Sequence, residues 1–203
     1  MTAIILNRLH GFVAVLLLAA CASTTLRSAW YDTSYSGAPF KRVMVVGVGG
    51  TLSDRRIFED IFAQKLTTAG VDAVPGYRFI PEASRANEPA WNEGVAASGA
   101  DGVLVVRVLR VDQKTRVMTT MVPGPMFGPY YAWWGPGWYA VPEVQQYETA
   151  IVESTLYEAK TKRPVWSATT ETFNPTTVEK ETPGFADLII GQLAARGLAA
   201  ARK

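Results

Sequence analysis

The run Val103-Leu104-Val105-Val106-Arg107-Val108-Leu109-Arg110-Val111 constrains this chain more than any other stretch. β-Branched and apolar residues fill it almost without interruption. That pattern suits a strand covered on both faces and places it at the centre of a sheet. Arg107 stands among valines and a leucine, where an unpaired guanidinium would carry a large desolvation cost. It must reach the sheet rim or meet a carboxylate, and Glu153 on a later strand is a candidate partner. A structural ion pair and an anion-binding role are the two readings of it.

The other elements follow from periodicity. Phe40 to Gly49 starts polar, becomes an unbroken apolar run and reads as the first strand. Thr51 to Asp54 supplies a helix cap; Ile57, Phe58, Ile61, Phe62, Leu66 and Ala69 keep helical spacing, and Gly70 ends the helix. Its opposite face, Arg55, Arg56, Glu59, Asp60, Gln64 and Lys65, is expected to be solvated. Between strand and helix, Gly47-Val48-Gly49-Gly50-Thr51 places glycines ahead of a helix N-terminus, as phosphate cradles do. It has no P-loop lysine and only part of a dinucleotide fingerprint, so it reads as a plain turn.

Val71 to Phe79 reads as a shorter strand broken by Pro75-Gly76, and a short helix over Ala90 to Ser98 stops at Gly99. Alternation over Gln145 to Ala159, a turn through Pro164 and a return over Val165 to Phe173 predict an antiparallel hairpin. Pro183 to Lys203 carries Phe185, Leu188, Ile189 and Leu193 on one helical stripe, with Pro183 near the first helical position. The expected fold is α/β: a mixed sheet of about five strands covered by helices, in the order β-α-β-α-β-β-β-α.

Ahead of these elements lie a weakly basic start (Arg8, His10) and an apolar block, Gly11 to Ala20. The block is too short to cross a hydrocarbon layer of roughly 30 Å as a helix and reads as a cleaved signal. Leu18-Ala19-Ala20-Cys21 resembles the lipobox of bacterial lipoproteins. That resemblance implies acylation of Cys21 and cleavage before it; an incidental cysteine near an ordinary secretory cut is the plain alternative. Ala22 follows, rather than the aspartate that holds the resembling enteric lipoproteins at the inner membrane. The implied location is the periplasmic face of the outer membrane, the inner membrane being the alternative. Residues 21–39, rich in Ser, Thr, Ala and Gly, read as a flexible tether to a domain spanning 40–203. Within the tether, Trp30 and Tyr31 either dock on the domain edge or lie loosely near the lipid.

Wider resemblance rests on that lipobox together with three internal stretches: Arg55-Arg56-Ile57-Phe58-Glu59-Asp60, the turn and strand from Gly99 to Val105, and Leu156 to Thr161 followed by Val165-Trp166. Together they resemble uncharacterised proteobacterial outer-membrane lipoproteins. More distantly they are similar to the α/β domains of the curli-secretion lipoprotein and of the lipoprotein activator of penicillin-binding proteins. These are fold motifs without catalytic residues, and the resemblance implies a binding or assembly role.

Residue inventory narrows the chemistry further. Cys21 is the only cysteine and His10 the only histidine. With one acylated and the other removed with the signal, the domain lacks the parts for Ser-His-Asp or Cys-His catalysis, thiolate or imidazole metal sites, and an intrachain disulfide. No cofactor or metal is expected. Removing Arg8 from the 20 Lys and Arg leaves 19 against 18 Asp and Glu, a balance without the electrostatic footprint of a nucleic-acid binder.

Pro123 to Val141 is the remaining feature, and no charge occurs between Arg116 and Glu143. Its prolines forbid a regular helix or central strand, so it reads as a long irregular connection. Phe127, Tyr130, Tyr131, Trp133, Trp134, Trp138 and Tyr139 are the candidate partner-binding residues. Three readings stay open: a satellite core, a platform for an envelope protein, a glycan or a second copy, and a contact at the membrane interface. The function expected is a non-enzymatic binding or assembly module, membrane-anchored through Cys21. The alternative is a carboxylate-dependent hydrolase of envelope glycan drawing on Glu153, Glu158 and Glu171, which would need paired acids facing one another in a cleft.

Overall fold

β2 (Arg42–Val48) and β4 (Gly102–Pro123) pair in parallel from Val43↔Gly102 to Val48↔Arg107, and β3 (Asp72–Pro75) adds a short parallel strand outside β2. On the other side, β5 (Trp138–Glu158) lies antiparallel to β4 and β6 (Pro164–Phe173) antiparallel to β5. A further strand, β1 (Thr24–Tyr31), closes that edge, giving one mixed six-stranded sheet in the order β1-β6-β5-β4-β2-β3. Among the described residues three α-helices accompany it: α1 (Leu52–Thr68), α2 (Glu88–Ser98) and α3 (Val178–Ala195). The structure, a computed structural model, describes residues 24–85, 87–123 and 138–199; residues 1–20, expected to be a signal, and Cys21 lie outside the described residues.

The sixth strand is the one the composition hides. Residues read as tether form β1, because its backbone pairs with β6 from Thr24↔Thr172 to Tyr31↔Trp166, a ladder that Ser, Thr and Ala occupy as readily as apolar residues. Side chains fasten it at both ends. The Thr24 and Thr172 hydroxyls meet at 2.9 Å in a buried position, and Arg163 reaches Asp32 at 3.0 Å. Tyr31 docks rather than hanging loose, with the Arg196 guanidinium 4.0 Å from its ring centroid.

Alternation along β2 divides the core. Val43 and Val45 face α1 and α3, joining Leu104, Val106, Leu156 and Trp166 to Phe62, Leu66, Phe185 and Ile189. Met44 and Val46 point the other way, with Val103 and Ile80, toward Trp91 and Val95 of α2. The valine run is therefore buried on both faces only through Val106; Val108, Leu109 and Val111 are exposed. Beyond Val48 there is no β2 left to cover them, and a register shift between Val108 and Arg110 marks the departure.

Helix ends obey local chemistry. Thr51 caps α1 in a complete capping box with Asp54, Gly49 and Gly50 take positive φ in the preceding turn, and Gly99 ends α2 in the left-handed region. The glycine stretch is thus the turn its sequence suggests. α3 begins well before Pro183, which lies inside it. Glu179 and Glu181 in the first turn suit the helix dipole, Glu181 accepts from the Thr176 amide at 3.1 Å, and the Thr182 hydroxyl satisfies the Val178 carbonyl at 2.6 Å.

Glu59 corrects the expectation of a uniformly solvated outer face on α1. It is 0% exposed and completes a buried stripe with Phe62, Ala63 and Leu66. Its Oε1 accepts from the Gly47 amide (2.9 Å) and from Arg85 (3.0 Å), and its Oε2 from the Tyr77 amide (2.7 Å). Arg85 in turn donates to the Gly47 carbonyl at 2.7 Å, and its own carbonyl accepts from the Trp91 indole at 2.7 Å. One carboxylate therefore ties the end of β2, the turn after β3 and the approach to α2 to a single helix. Such a burial is tolerable because every lone-pair direction it uses meets a donor.

Candidate functional site

Register makes β4 and β5 longer than the sheet that holds them. They stay paired out to Pro123↔Trp138, whereas β2 ends at Val48↔Arg107 and β6 at Phe173↔Thr149. β6 and Asn174 still hold β5 as far as Glu148, so from Lys114↔Tyr147 outward the hairpin is a two-stranded arm, both edges unpaired among the described residues. The nine steps from Lys114 to Pro123 span roughly 30 Å at the antiparallel rise. Two unpaired edges leave rows of N–H and C=O groups that a partner strand or water must satisfy.

The arm changes character along its length. At its root, Lys114 and Arg27 both reach Glu171, at 3.2 and 2.7 Å, Arg110 pairs with Asp112 at 2.9 Å, and the Tyr147 and Phe173 rings lie 4.9 Å apart. Farther out, Arg116 and Glu143 are the last charges, and Glu143 accepts from the Thr120 hydroxyl at 2.9 Å. Beyond the root, Val117 and Val144 stand directly opposite each other, 64% and 62% exposed. Met118, Met121 (59% exposed) and Val141 are exposed as well. By register, Val117, Met121 and Val144 share one face and Met118 and Val141 the other; isolated exposed apolar residues are ordinary, but apolar residues on both faces of a projecting element mark a contact surface.

Of the sequence-predicted partner residues, Phe127, Tyr130, Tyr131, Trp133 and Trp134 lie outside the described residues. The backbone of Trp138 and Tyr139 belongs to β5. The expected irregular connection over 123–141 is accordingly shorter, since Pro123 and residues 138–141 are in the ladder. Pro123 terminates β4 and Pro142 faces an unpaired edge, positions where a missing N–H breaks no ladder of a third strand.

The three carboxylates considered for hydrolysis are each committed elsewhere. Glu153 lies directly across from Arg107 and binds it at 2.7 Å, the ion pair expected for that arginine. Glu158 sits at the far end of β5, opposite Gly102, and accepts from the Thr161 hydroxyl at 2.5 Å. Glu171 is held below the ordinary carboxylate range, first by the Lys114 hydrogen bond and further by Arg27. An acid held ionised in this way is a poor proton donor. Among the described residues no cluster of His, Cys, Asp and Glu is placed to hold a metal.

Because its folded pKa is depressed, Glu171 stabilises the arm root above the usual carboxylate value of 4.5, and this contribution disappears as pH falls through the folded value. Lys114→Met is expected to move the Glu171 titration up toward that usual value in a carboxyl-resolved NMR titration. An unmoved midpoint would show that the Lys114 contact is not made in solution.

An apolar cavity of about 260 Å³ opens beside the arm root, between the N-terminal ends of α1 and α3 and lined by Gly47, Phe58, Val106, Val152, Thr177 and Phe185. Sequence reading missed it because its walls come from six separate elements. It also missed the arm shaft, where Thr, Gln, Lys and Arg alternate with no apolar face. The signal available was the break in charge after Arg116.

No protein-family model matches the chain, and no curated protein does. Among solved structures the chain is similar to the PelC dodecamer from Paraburkholderia phytofirmans, at 17% identity over 86% of this chain and 99% of that one, with a TM-score of 0.46. It is also similar to the lipoprotein GNA1162 from Neisseria meningitidis, at 12% identity over 76% of this chain and 98% of that one, with a TM-score of 0.41.

Proposed function

We propose that this chain is a lipoprotein of the bacterial cell envelope, anchored through an acylated Cys21 at the periplasmic face of the outer membrane. Its α/β domain acts there as a non-enzymatic binding or assembly module. The observation that carries the reading is the β4–β5 arm, a projecting two-stranded hairpin with both edges unpaired and an exposed apolar outer half. Binding surfaces of this form work by main-chain pairing and by burial of exposed side chains, and need no reactive group. The lipobox resemblance supplies the anchor, and no described helix is long and apolar enough to cross a membrane.

Metabolic labelling with a fatty acid tests the anchor: wild type is expected to incorporate label and Cys21→Ser to incorporate none. Equal labelling of the two would refute it. Photo-crosslinking in intact cells tests the module, with a reactive residue at Met118 on the arm or at Gln64 on the exposed side of α1. Adducts are expected from position 118 and not from 64. Adducts from 64 alone would place the binding surface elsewhere.

A further inference from the structure

We propose that the outer half of the β4–β5 arm is a second membrane contact, in which Val117, Met118, Met121, Val141 and Val144 dock on the same bilayer that the acyl chains of Cys21 enter. This rests on the anchor reading above and names what the arm binds. Chain direction sets which end of the sheet the anchor joins. β4 runs outward into the arm, β5 returns from it, β6 runs outward again and β1 runs inward, so Thr24 lies at the arm end of the sheet. Thr24, Thr172, Ala150 and Val111 form one row across four strands, and β1 begins at the same end of the sheet from which the arm projects.

Length then decides the matter. Because β1 begins at Thr24, only three steps separate the sheet from Cys21, a reach of at most roughly 11 Å when fully extended. An acylated Cys21 thus keeps this end of the sheet close to the headgroups at any tilt of the domain. The arm begins three residues beyond the same row and extends roughly 30 Å farther. Twist of roughly 20–25° per strand inclines β4 to β1 but leaves both at this end. An arm longer than the leash beside it must reach the interface, and with Val117, Met121 and Val144 on one face and Met118 and Val141 on the other it enters by its outer end rather than lying along the surface.

Composition fits that placement. The charged residues Asp112, Lys114 and Glu148 stay near the root, Arg116 and Glu143 come next, and residues 117–142 carry no charge. The exposed valines and methionines of the outer half would lose water on contact with acyl chains, a gain of about 25 cal/mol per Å² of apolar surface.

The test uses the full lipidated protein in phosphatidylethanolamine–phosphatidylglycerol vesicles. Acylation occupies the chain's only cysteine, so Met118→Cys, Met121→Cys and Val144→Cys each give a single site for an environment-sensitive dye, with Gln64→Cys as the control. A blue shift with a several-fold rise in emission is expected at 118, 121 and 144, along with quenching by lipids brominated in their acyl chains. Position 64 should show neither. Adding Val117→Asp and Val144→Asp to the Met121→Cys protein should abolish the shift without lowering its melting temperature. A vesicle-bound protein whose arm dyes report water overturns the proposal and leaves the anchor standing. A blue shift without lipid quenching, accompanied by crosslinks between copies, overturns it in favour of self-association. Failure to incorporate fatty acid overturns both readings.

Discussion

Glu59→Gln is expected to lower stability by about 3 kcal/mol, the low end of the cost of breaking a buried ion pair from one side. In a domain of this size that corresponds to a fall of roughly 10 °C in melting temperature. The amide keeps one acceptor oxygen but turns its NH2 toward one of two fixed backbone donors, the Gly47 or Tyr77 amide. It also removes the charge that faces Arg85, a side chain only 13% exposed. Glu59→Leu should cost more, because both amides and the guanidinium then lose their acceptor. Arg85→Met should cost less than either, since the two amides still hold the carboxylate. The double change Glu59→Leu with Arg85→Met is informative: it relieves the unpaired charge but leaves the two N–H groups buried without partners, at about 1–3 kcal/mol each. Thermal and urea unfolding of the four proteins would show the order. A double mutant as stable as wild type would mean that the amide bonds to Glu59 contribute nothing, contrary to the geometry.

Glu59 also shows where sequence reasoning reaches its limit and why. Acidic residues on a helix are normally solvated, and Glu59 sits between Phe58 and Asp60, so residue type alone places it on the outer face. The signal was present all the same: 59, 62, 63 and 66 is the i, i+3, i+4, i+7 spacing of a buried stripe. Its partners were not legible, because Arg85 lies 26 residues away and the other donors are backbone groups brought in by the fold. The Arg107–Glu153 pair was readable for the opposite reason, since an arginine inside an apolar run calls for a partner and, of the acids on β5, Glu153 falls directly opposite it. β1 and the arm shaft were illegible from pattern because pairing, not burial, holds them. Solvent reaches both faces of the shaft, so neither face selects apolar residues and no alternation is written. The helices and the inner half of β4 could be read because each buries a continuous face.

The division within β4 makes the second large prediction. Val106→Asp is expected to prevent folding, and Val117→Asp, eleven residues along the same strand, to leave stability within about 0.5 kcal/mol of wild type. Val106 is buried in the cluster that joins the sheet to Phe62 and Phe185, where a carboxylate meets no donor and a missing isopropyl group opens a cavity. Val117 faces only Val144 across the hairpin and solvent elsewhere, so an aspartate there keeps its hydration. Strand propensity alone would rank the two changes as equals, since both replace a valine by a poor strand former. Circular dichroism and urea unfolding of the two proteins separate the accounts. Comparable losses at both sites would mean that the outer arm is packed against something in the isolated protein, and that the body and arm do not part at the end of β2. Folding unaffected by Val106→Asp would remove the core assignment altogether. The pair of valines thus tests, in one strand, the boundary between the part of the chain that makes the fold and the part that the fold presents.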